Sequence, residues 1–354
     1  MNILITGGCG FIGSNLIRYI IKNTSHNVFN IDDLTYAGNK QSLRFLKKNK
    51  RYSFKKINIT NKKKIQSIFK TFKPDWIMHL AAESHVDRSI DSPDKFIVTN
   101  VNGTCNLLNI SRSYFNKLDS KKKKLFRFHH ISTDEVYGDI GFKSKLARED
   151  NRYLPSSPYS ASKASADHLV RAWFKTFGLP IIITNTSNNY GPYQYPEKLI
   201  PHTILNILFN KNIPIYGNGK QIRDWIFVED HVEALLKIVK KGNVGETYNI
   251  GGNNQITNLD VVKLICKSVD KVFLKKKIFL NSKNLIKFVK DRPGHDLRYG
   301  INQSKITKLL KWKPKISFKK GIEITVEWYL NNKLWWNKIL SKGYKLKRKG
   351  KTTS

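Results

Sequence analysis

The stretch ITGGCGFIGS, residues 5–14, places Gly7, Gly10 and Gly13 between an apolar run and a segment of helical period. Glycines at this spacing permit a tight turn and a close approach of the backbone to a phosphate, and the N-terminus of the following helix offers N–H groups. Asp32 follows the next apolar run, where an acid accepts hydrogen bonds from the ribose of a dinucleotide. A carboxylate there repels a 2'-phosphate. The sequence therefore predicts a dinucleotide site that takes NAD rather than NADP.

Short apolar runs alternate with amphipathic segments around this motif. The runs are NILIT, NVFNI, YSFKKI, DWIMHLA, LFRFHHIS and PIIITN, and the longer segments include FIGSNLIRYIIK, KKKIQSIFKTF and PDKFIVTNVNGTCNLLNISRSYF. Repeated alternation of strand and helix predicts an α/β fold with a doubly wound, parallel, Rossmann-type sheet and right-handed crossovers. Ligands of such sheets bind at the carboxyl ends of the strands.

The pattern changes after about residue 187 to shorter elements separated by Gly, Pro and Asn. This change predicts a smaller C-terminal α+β domain that binds a substrate. We expect a dinucleotide-binding domain over residues 1–186, completed by part of 222–252. A mainly substrate-binding domain over 187–336 and a basic tail over 337–354 follow it.

The composition limits the location and the partners. Cys9, Cys105 and Cys266 are odd in number and far apart, which fits neither a disulfide framework nor a metal site. The N-terminus lacks the features of a signal peptide, and no apolar run approaches the roughly 20 residues of a membrane span. We expect a cytoplasmic protein with no metal and no membrane partner.

The net charge of +38 suggests a nucleic-acid-binding protein as one hypothesis. That hypothesis requires a basic patch or a binding motif. The lysines instead spread over predicted helix surfaces and turns, in a chain that is also rich in Ile and Asn. A general drift of surface residues toward Lys explains this better, so no specific nucleic acid is expected.

Tyr159 and Lys163 are four residues apart in a segment of helical period, so both project from one face. A free tyrosine has a pKa of about 10 and is a poor base. A neighbouring ammonium favours the phenolate and is expected to lower that pKa. The pair could then remove a proton from a sugar hydroxyl while hydride leaves the same carbon for NAD.

Thr133, Asp134 and Glu135 follow an apolar run directly. Adjacent acids usually lie in solvent or cap a helix. Their position at the end of a predicted buried strand instead favours an acid and a base of opposite protonation.

These motifs together resemble the dTDP-glucose 4,6-dehydratase family of the extended short-chain dehydrogenase/reductase superfamily. The resemblance extends from Met1 to about Trp336. It rests on TGGCGFIGS, DDLTYAGN, LAAESHVDRSI, FHHISTDEVYGD, PSSPYSASKASADHLVRAW, TNTSNNYGPYQYPEKLIP, PIYGNGKQIRDWIFVEDH, GETYNIGG and DRPGHDLRY.

The resemblance implies oxidation of dTDP-glucose at C4, loss of water across C5 and C6, and return of hydride to C6. It makes Glu135 the base at C5, Asp134 the acid at the C6 hydroxyl, and Thr133 a hydrogen-bond partner of the C4 oxygen. It also implies a homodimer joined through 93–115 and 159–177, and a role in deoxysugar synthesis such as that of dTDP-rhamnose.

By the same resemblance, further residues are assigned to two ligands. The NAD-contacting positions are Gly7, Gly10, Phe11, Ile12, Gly13, Asp32, Asp33, Leu34, Thr35, Asn58, Ile59, Leu80, Ala81, Ala82, Glu83, Ser84, Thr99, Tyr159, Lys163 and Asn189. The substrate-contacting positions are Ser84, Thr133, Asn188, Lys198, Leu199, Pro214, Ile215, Tyr216, Arg223, Asn258, Asp291, Arg292, Pro293, Gly294 and His295.

The chain departs from the family pattern twice. Asn58 replaces the usual aspartate near the adenine, and we expect its amide oxygen to accept the bond from the adenine amino group. The segment between Tyr137 and Tyr153 is shorter than in the family, which bears on turnover. The remaining alternatives are an epimerase or decarboxylase of the same fold, which would not need both acids, and an inactive homologue.

Overall fold

The computed structural model describes residues 1–291 and 294–341. Within these residues the strands are β1 Asn2–Thr6, β2 Asn27–Asp32, β3 Tyr52–Lys56, β4 Trp76–His79, β5 Arg127–Thr133, β6 Ile181–Thr186, β7 Asn188–Tyr190, β8 Ile213–Tyr216, β9 Ile222–Phe227, β10 Thr247–Ile250, β11 Gln255–Thr257 and β12 Ile286–Val289.

The α-helices of the same residues are α1 Phe11–Asn23, α2 Lys62–Phe72, α3 Val86–Asp91, α4 Pro93–Phe96, α5 Gly103–Asn116, α6 Ser120–Leu125, α7 Pro158–Phe177, α8 Leu199–Leu208, α9 Val228–Lys241, α10 Asn258–Leu274, α11 Ser304–Leu310, α12 Phe318–Asn331 and α13 Lys333–Leu340. Shorter 3-10 helices span Lys40–Leu46, Asp134–Tyr137 and Ser282–Leu285.

The largest sheet has the strand order β3-β2-β1-β4-β5-β6-β10, and every pair of neighbours is parallel. The order reverses between β1 and β4, which is the point where a doubly wound sheet opens a crevice for a ligand. The predicted Rossmann-type fold is therefore confirmed. All six apolar runs singled out in the sequence are strands of this sheet.

Alternate residues of each strand enter two separate cores, one on each face of the sheet. Ile3 and Ile5 pack with α1, α9 and α11, whereas Leu4 between them packs with α2, α5 and α7. Ile182 and its neighbour Ile183 divide in the same way. Because both faces are buried, these strands are continuously apolar.

A second body of structure follows β6. β7, β9 and β11 form one small sheet, β8 and β12 form another, and α8, α10 and α12 bury a third core against them. The chain returns to the large sheet with α9 and β10, and again with α11. The division into two domains at residue 186 stays a prediction.

The sequence of segment 93–115 has the apolar periodicity of one continuous helix, but the structure divides it into α4 and α5. Between α4 and α5 the backbone forms a π-helical turn over Ile97–Asn102. Such wide turns occur frequently at functional sites. Asn100 in this turn is buried, accepts from the Glu83 amide at 2.9 Å and donates to Ser162 Oγ at 2.9 Å. The turn therefore fixes the loop that follows β4 against α7.

Two sets of sequence predictions lie outside the described residues. They are the substrate contacts Arg292 and Pro293, and residues 342–354 of the basic tail. Among the helices that are described, none combines the length and apolar character needed to cross a bilayer.

Candidate active site

The glycine turn joins β1 to α1 at the carboxyl edge of the large sheet. Gly7 has φ +72° and its amide donates to Ile31 O at 2.8 Å, and a Cβ at Gly7 would lie 2.6 Å from the Ala81 amide nitrogen. Gly10 is the N-cap residue of α1, with no side-chain cap and no acid in the first turn. The positive end of α1 is thus open to an anion, as a pyrophosphate site requires.

Asp32 ends β2 beside this turn. Its carboxylate accepts the Cys9 amide at 2.8 Å and the Leu34 amide at 2.7 Å, so both oxygens are fixed while each keeps a lone pair. Burial raises the pKa of Asp32, and the two backbone donors oppose that rise. A ribose hydroxyl can donate to the remaining lone pairs.

The amide oxygen of Asn58, which we expected to accept a hydrogen bond from the adenine amino group, has other partners in the structure. Its Oδ1 accepts the Thr60 amide at 2.8 Å and the Thr60 hydroxyl at 2.6 Å, which occupies both lone pairs. Its Nδ2 donates to Asp33 Oδ2 at 2.8 Å. The amide oxygen is thus already engaged, and Asn58 holds the Asp33 carboxylate in place.

The end of β5 carries the Thr-Asp-Glu triplet into a 3-10 turn. Thr133 caps that turn by accepting the Glu135 amide at 3.2 Å, and its hydroxyl donates to Asp134 Oδ1 at 3.4 Å. The Asp134 side chain is buried, and its Oδ2 has no hydrogen-bond partner among the described residues. Glu135 is half-buried and lines the cleft.

The two adjacent carboxyls therefore have different environments. Burial raises the pKa of Asp134 well above its usual range, and the charges of Glu135 and Asp224 raise it further. Arg223 opposes these effects. Asp134 is thus held as a proton donor beside a carboxylate, which is the pairing that an acid and a base need.

Tyr159 and Lys163 lie on the face of α7 that is turned to the sheet, as their spacing predicts. The helix begins with a capping box formed by Ser157 and Ser160, with Pro158 in its first turn. Lys163 Nζ donates to Ile131 O at 2.9 Å. Both side chains line the same cleft as the Thr-Asp-Glu triplet.

The expected lowering of the Tyr159 pKa by Lys163 is wrong for the protein alone. Burial raises the pKa of Tyr159, the charge of Glu135 adds to the rise, and a hydrogen bond with Thr133 opposes it. Burial also lowers the pKa of Lys163 to about 8. A closed site disfavours the charged form of both groups, which spacing in the sequence does not reveal.

A cleft of about 310 Å³ runs along this edge of the sheet. It is lined by every residue assigned to NAD except Leu34, and also by Thr133, Asp134, Glu135, Asn188 and Lys198. The buried Ser132 Oγ and Asn189 Oδ1 at this edge lack hydrogen-bond partners among the described residues. The open helix end, the fixed carboxylate and these polar atoms fit a dinucleotide.

A second cavity of about 230 Å³ adjoins the first. Glu135, Asn188, Asn189, Gln194, Glu197 and Lys198 line both of them. Of the residues assigned to the substrate, this cavity is also lined by Leu199, Pro214, Ile215, Tyr216, Arg223, Asn258 and His295. Ser84 and Thr133 line the first cleft alone, and Asp291 and Gly294 line neither.

Asp291 has a position behind the cavity wall. Its carboxylate accepts from His295 Nδ1 at 2.6 Å and from Gln221 Nε2 at 2.9 Å. Asp291 therefore orients His295, which does reach the cavity.

Sequence reasoning missed two residues at the centre of the site. Glu197 lines both cavities and has a side chain only 3% exposed, beside Arg88 at 3.4 Å. Tyr299 lines the second cavity and donates its hydroxyl hydrogen to Asp296, which also accepts from Ser156. Both residues stood within recognised motifs, and only the folded chain shows that they face Glu135.

The loop between Tyr137 and Tyr153 is tied to the substrate side. Arg298 donates to the carbonyls of Phe142 at 2.9 Å and Ser144 at 3.0 Å. Asp139 accepts the Leu297 amide at 2.8 Å and the Arg298 amide at 3.1 Å. This loop and the segment carrying Tyr299 thus form one connected wall.

The fold and the site together define the class of protein. A parallel Rossmann-type sheet, a glycine turn at an open helix end, and a Tyr159–Lys163 pair facing the cleft are the features of a dinucleotide-dependent short-chain dehydrogenase/reductase. The buried Asp134 next to Glu135 adds the acid and base of an elimination.

Comparison with known proteins narrows the class. The family model of GDP-mannose 4,6 dehydratase matches residues 4–325. A dTDP-glucose 4,6-dehydratase of Neisseria meningitidis is 54% identical over 349 residues, which is 98% of each chain. The chain belongs to the dTDP-glucose 4,6-dehydratase family, as its motifs predict.

Solved structures of the same family agree in fold. The dTDP-glucose 4,6-dehydratase of Streptomyces venezuelae with NAD and TYD bound has a TM-score of 0.87 and 37% identity, covering 96% of this chain and 100% of that one. The enzyme of Bacillus anthracis in complex with NAD has a TM-score of 0.84 and 41% identity, covering 96% and 99%.

Proposed function

We propose that this protein is an NAD-dependent hydro-lyase that converts dTDP-D-glucose into dTDP-4-keto-6-deoxy-D-glucose and water. One observation carries the proposal. The buried Asp134, whose pKa is raised by burial and by Glu135, and Glu135 itself line the same cleft as Tyr159 and Lys163. An epimerase or a decarboxylase uses the tyrosine and the lysine, but it has no use for this pair of acids.

Burial raises the pKa of Tyr159 in the protein alone, so the first step needs its phenolate form, which the positive charge of Lys163 favours. This phenolate is the base that takes the proton of the C4 hydroxyl. NAD supplies the hydride acceptor for C4 and the hydride donor for C6. The resulting 4-keto group makes the C5 proton acidic. Glu135 then removes the C5 proton, and Asp134 gives its proton to the C6 hydroxyl, which leaves as water. Glu135 returns its proton to C5 when C6 receives hydride.

Protons must be redistributed between Tyr159 and Asp134 after each turnover, and Thr133 lies where it could help to transfer them. Each turnover adds one proton to Tyr159 and removes one from Asp134. The Thr133 hydroxyl donates to Asp134 Oδ1 at 3.4 Å and also hydrogen-bonds Tyr159. It therefore lies between the group that must lose a proton and the group that must regain one.

The two cavities are assigned to the two ligands. Asp32 would hold the adenosine ribose, and the open end of α1 would hold the pyrophosphate of NAD. The second cavity would take the dTDP portion of the substrate, with Arg223 as a diphosphate partner because a guanidinium makes paired contacts with phosphate oxygens. The residues assigned to each ligand from the sequence remain proposals, and Leu34, Asp291 and Gly294 would act indirectly because they line neither cavity.

We further propose a cytoplasmic homodimer that serves deoxysugar synthesis, for example of dTDP-rhamnose. Ile97 and Val98 of the π-helical turn are 46% and 48% exposed, and Phe177 at the end of α7 is 37% exposed. These apolar side chains belong to the two segments expected at the dimer interface, and light scattering of the purified protein would measure its mass.

The test of the activity is incubation with dTDP-glucose deuterated at C4, followed by mass spectrometry and NMR of the product. We expect loss of one water and deuterium at C6. A product with the mass of the substrate would indicate an epimerase, and an unchanged substrate would indicate an inactive homologue.

A further inference from the structure

The ammonium group of Lys163 is in an unusual environment for a cation. Lys163 is 4% exposed, and among the described residues its Nζ contacts Ile131 O at 2.9 Å and His130 Nε2 at 3.4 Å. Neither neighbour is an anion. An ammonium buried in this way is costly unless a negative charge lies close by.

Asp167 lies one helical turn further along α7, and its charge acts on Lys163. Its side chain is fully buried, and its Oδ1 lies 3.2 Å from His130 Nε2. The imidazole of His130 therefore stands between the ammonium of Lys163 and the carboxylate of Asp167. Burial lowers the pKa of His130 to about 4, and Lys163 contributes to that lowering, so the ring is neutral near pH 7.

The other oxygen of Asp167 faces a second cation. Oδ2 accepts from the Tyr153 hydroxyl at 2.9 Å, and that hydroxyl accepts from Arg171 at 2.6 Å and from Asn185 at 3.0 Å. Lys163, Asp167 and Arg171 thus follow one another at four-residue intervals on one face of α7. The Asp167 carboxylate therefore lies between two cations. The neutral side chain of His130 separates it from Lys163, and that of Tyr153 separates it from Arg171.

We propose that Asp167, which lies against His130 Nε2, is the positioning residue whose negative charge keeps Lys163 protonated in the cleft. Only the catalytic use of the Lys163 ammonium rests on the proposed function; its protonation does not. Burial favours the neutral form of Asp167, but His130, Lys163 and Arg171 outweigh burial and lower the pKa of the carboxyl. Asp167 is also the one group that raises the pKa of Lys163 against burial.

Other titratable groups face this cluster from the neighbouring elements, and the test must separate their effects. They are His79 of β4, with its ring 5.2 Å from that of His130, Tyr159 of α7, Tyr137 and Glu135 of the 3-10 turn, Asp134 beside them, and Glu149 near Tyr137.

The experiment measures the protonation of Lys163 directly. Lysines are labelled with ¹³C at Cε, and the Lys163 resonance is identified by its loss in Lys163→Arg. In the wild-type protein its titration midpoint is expected near pH 8. In Asp167→Asn, which keeps the shape and removes the charge, we expect the midpoint at least one pH unit lower, which is a roughly tenfold fall in the ratio of charged to neutral Lys163 at pH 8. An unchanged midpoint would overturn the proposal.

A matched control and a second pair of variants complete the test. Asp230→Asn removes another buried carboxylate, on α9, and should leave the midpoint unchanged. His130→Leu removes the polar ring beside Asp167 and should lower the midpoint, whereas His130→Gln keeps an amide that can donate to Asp167 and should restore it. Equal midpoints in His130→Leu and His130→Gln would contradict the proposal even if Asp167→Asn did not fold. Because this readout needs no substrate, an inactive wild-type protein would refute only the proposed function.

Discussion

At the scale of single residues, Asp134 and Glu135 show how neighbours in the chain acquire opposite protonation. Asp134 is turned into the protein, and burial is the largest cause of its raised pKa. We expect Asp134→Asn to reduce the rate of dehydration by a factor of about 10² to 10⁴, the usual contribution of a general acid. Oxidation at C4 needs only Tyr159 and Lys163 and should persist. Absorbance at 340 nm should therefore rise after mixing with substrate and stay high.

The matched control for this prediction is Asp150→Asn, which neutralises a carboxylate with a side chain 75% exposed, and its rate should equal that of the wild type. The raised pKa of Asp134 also predicts how the rate of dehydration changes with pH. Dehydration should decline as pH rises through the pKa of Asp134, because the donor is then lost. Normal turnover by Asp134→Asn would remove Asp134 from the mechanism.

Asn58 is the second informative residue. Its Nδ2 donates to Asp33 Oδ2 at 2.8 Å, so Asn58→Asp would place two carboxylates against each other. Repulsion between like charges at such distances amounts to about 1 to 4 kcal/mol in water or near a protein surface. We expect NAD affinity to fall about tenfold, measured by titration of the cofactor-free protein.

Asn61→Asp is the control for that substitution. Asn61 caps α2 by accepting the Lys64 amide at 3.1 Å, and aspartate is an equally good cap. NAD affinity should not change. If Asn58→Asp instead bound NAD more tightly than the wild type, Asp33 would not need the amide of Asn58.

At the scale of elements, the short 3-10 turn depends on the glycine that ends it. Gly138 has φ +76° and ψ −166°, and a Cβ there would collide with the Leu154 carbonyl oxygen. Gly141 also has a positive φ, of +61°, but no atom lies within 4 Å of its Cβ position. Gly141→Ala should cost about 1 to 2 kcal/mol from backbone strain alone.

Gly138→Ala should lower Tm further than Gly141→Ala and also reduce kcat. The amide of Leu154 donates to Val136 O at 3.0 Å, so a displaced Leu154 shifts the turn that carries Asp134 and Glu135. Thermal unfolding and steady-state kinetics of both variants would test this. Equal Tm values for Gly138→Ala and Gly141→Ala would mean that the segment at Leu154 can move away without disturbing the 3-10 turn.

Periodicity predicted the regular elements well and the interrupted one poorly. Inner strands of the large sheet such as β1 and β6 have continuous apolar runs because both of their faces are buried, and such runs can be recognised in the sequence. The π-helical turn at Ile97–Asn102 leaves no such trace, because it adds a residue to one turn without changing the residue types. Its purpose is visible only in the contacts of Asn100 with Glu83 and Ser162.

At the scale of the whole molecule, the site joins segments that are far apart in sequence. The glycine turn, the Thr-Asp-Glu triplet and the Tyr159–Lys163 pair could be found from the sequence because each is a local motif. Tyr299 and Glu197 line one cavity with Glu135 only because the chain folds the small sheets against the large one. Exposure and protonation depend on the same packing, which is why the raised pKa of Tyr159 could not be foreseen.

Packing also makes the molecule sensitive to acid through its buried histidines. His129 and His231 are fully buried, and burial lowers the pKa of each to about 3. In the unfolded chain a histidine takes up a proton below about pH 6.5, whereas in the folded protein these two do not until about pH 3. Their contribution to stability is therefore complete above pH 6.5 and is lost as pH falls from 6.5 toward 3.

His231 allows this effect to be isolated, because neither ring nitrogen has a hydrogen-bond partner among the described residues. His231→Leu removes the proton uptake by this residue in the unfolded chain, and it breaks no hydrogen bond among the described residues. Relative to wild type, its free energy of unfolding should rise by about 1.4 kcal/mol for each pH unit below 6.5. Urea unfolding at pH 7.5 and 5.5 measures the difference. Val232→Ala, at the next buried position of α9, should lower stability equally at both pH values. A difference between His231→Leu and wild type that did not change with pH would show that His231 takes up a proton in the folded protein as readily as in the unfolded chain.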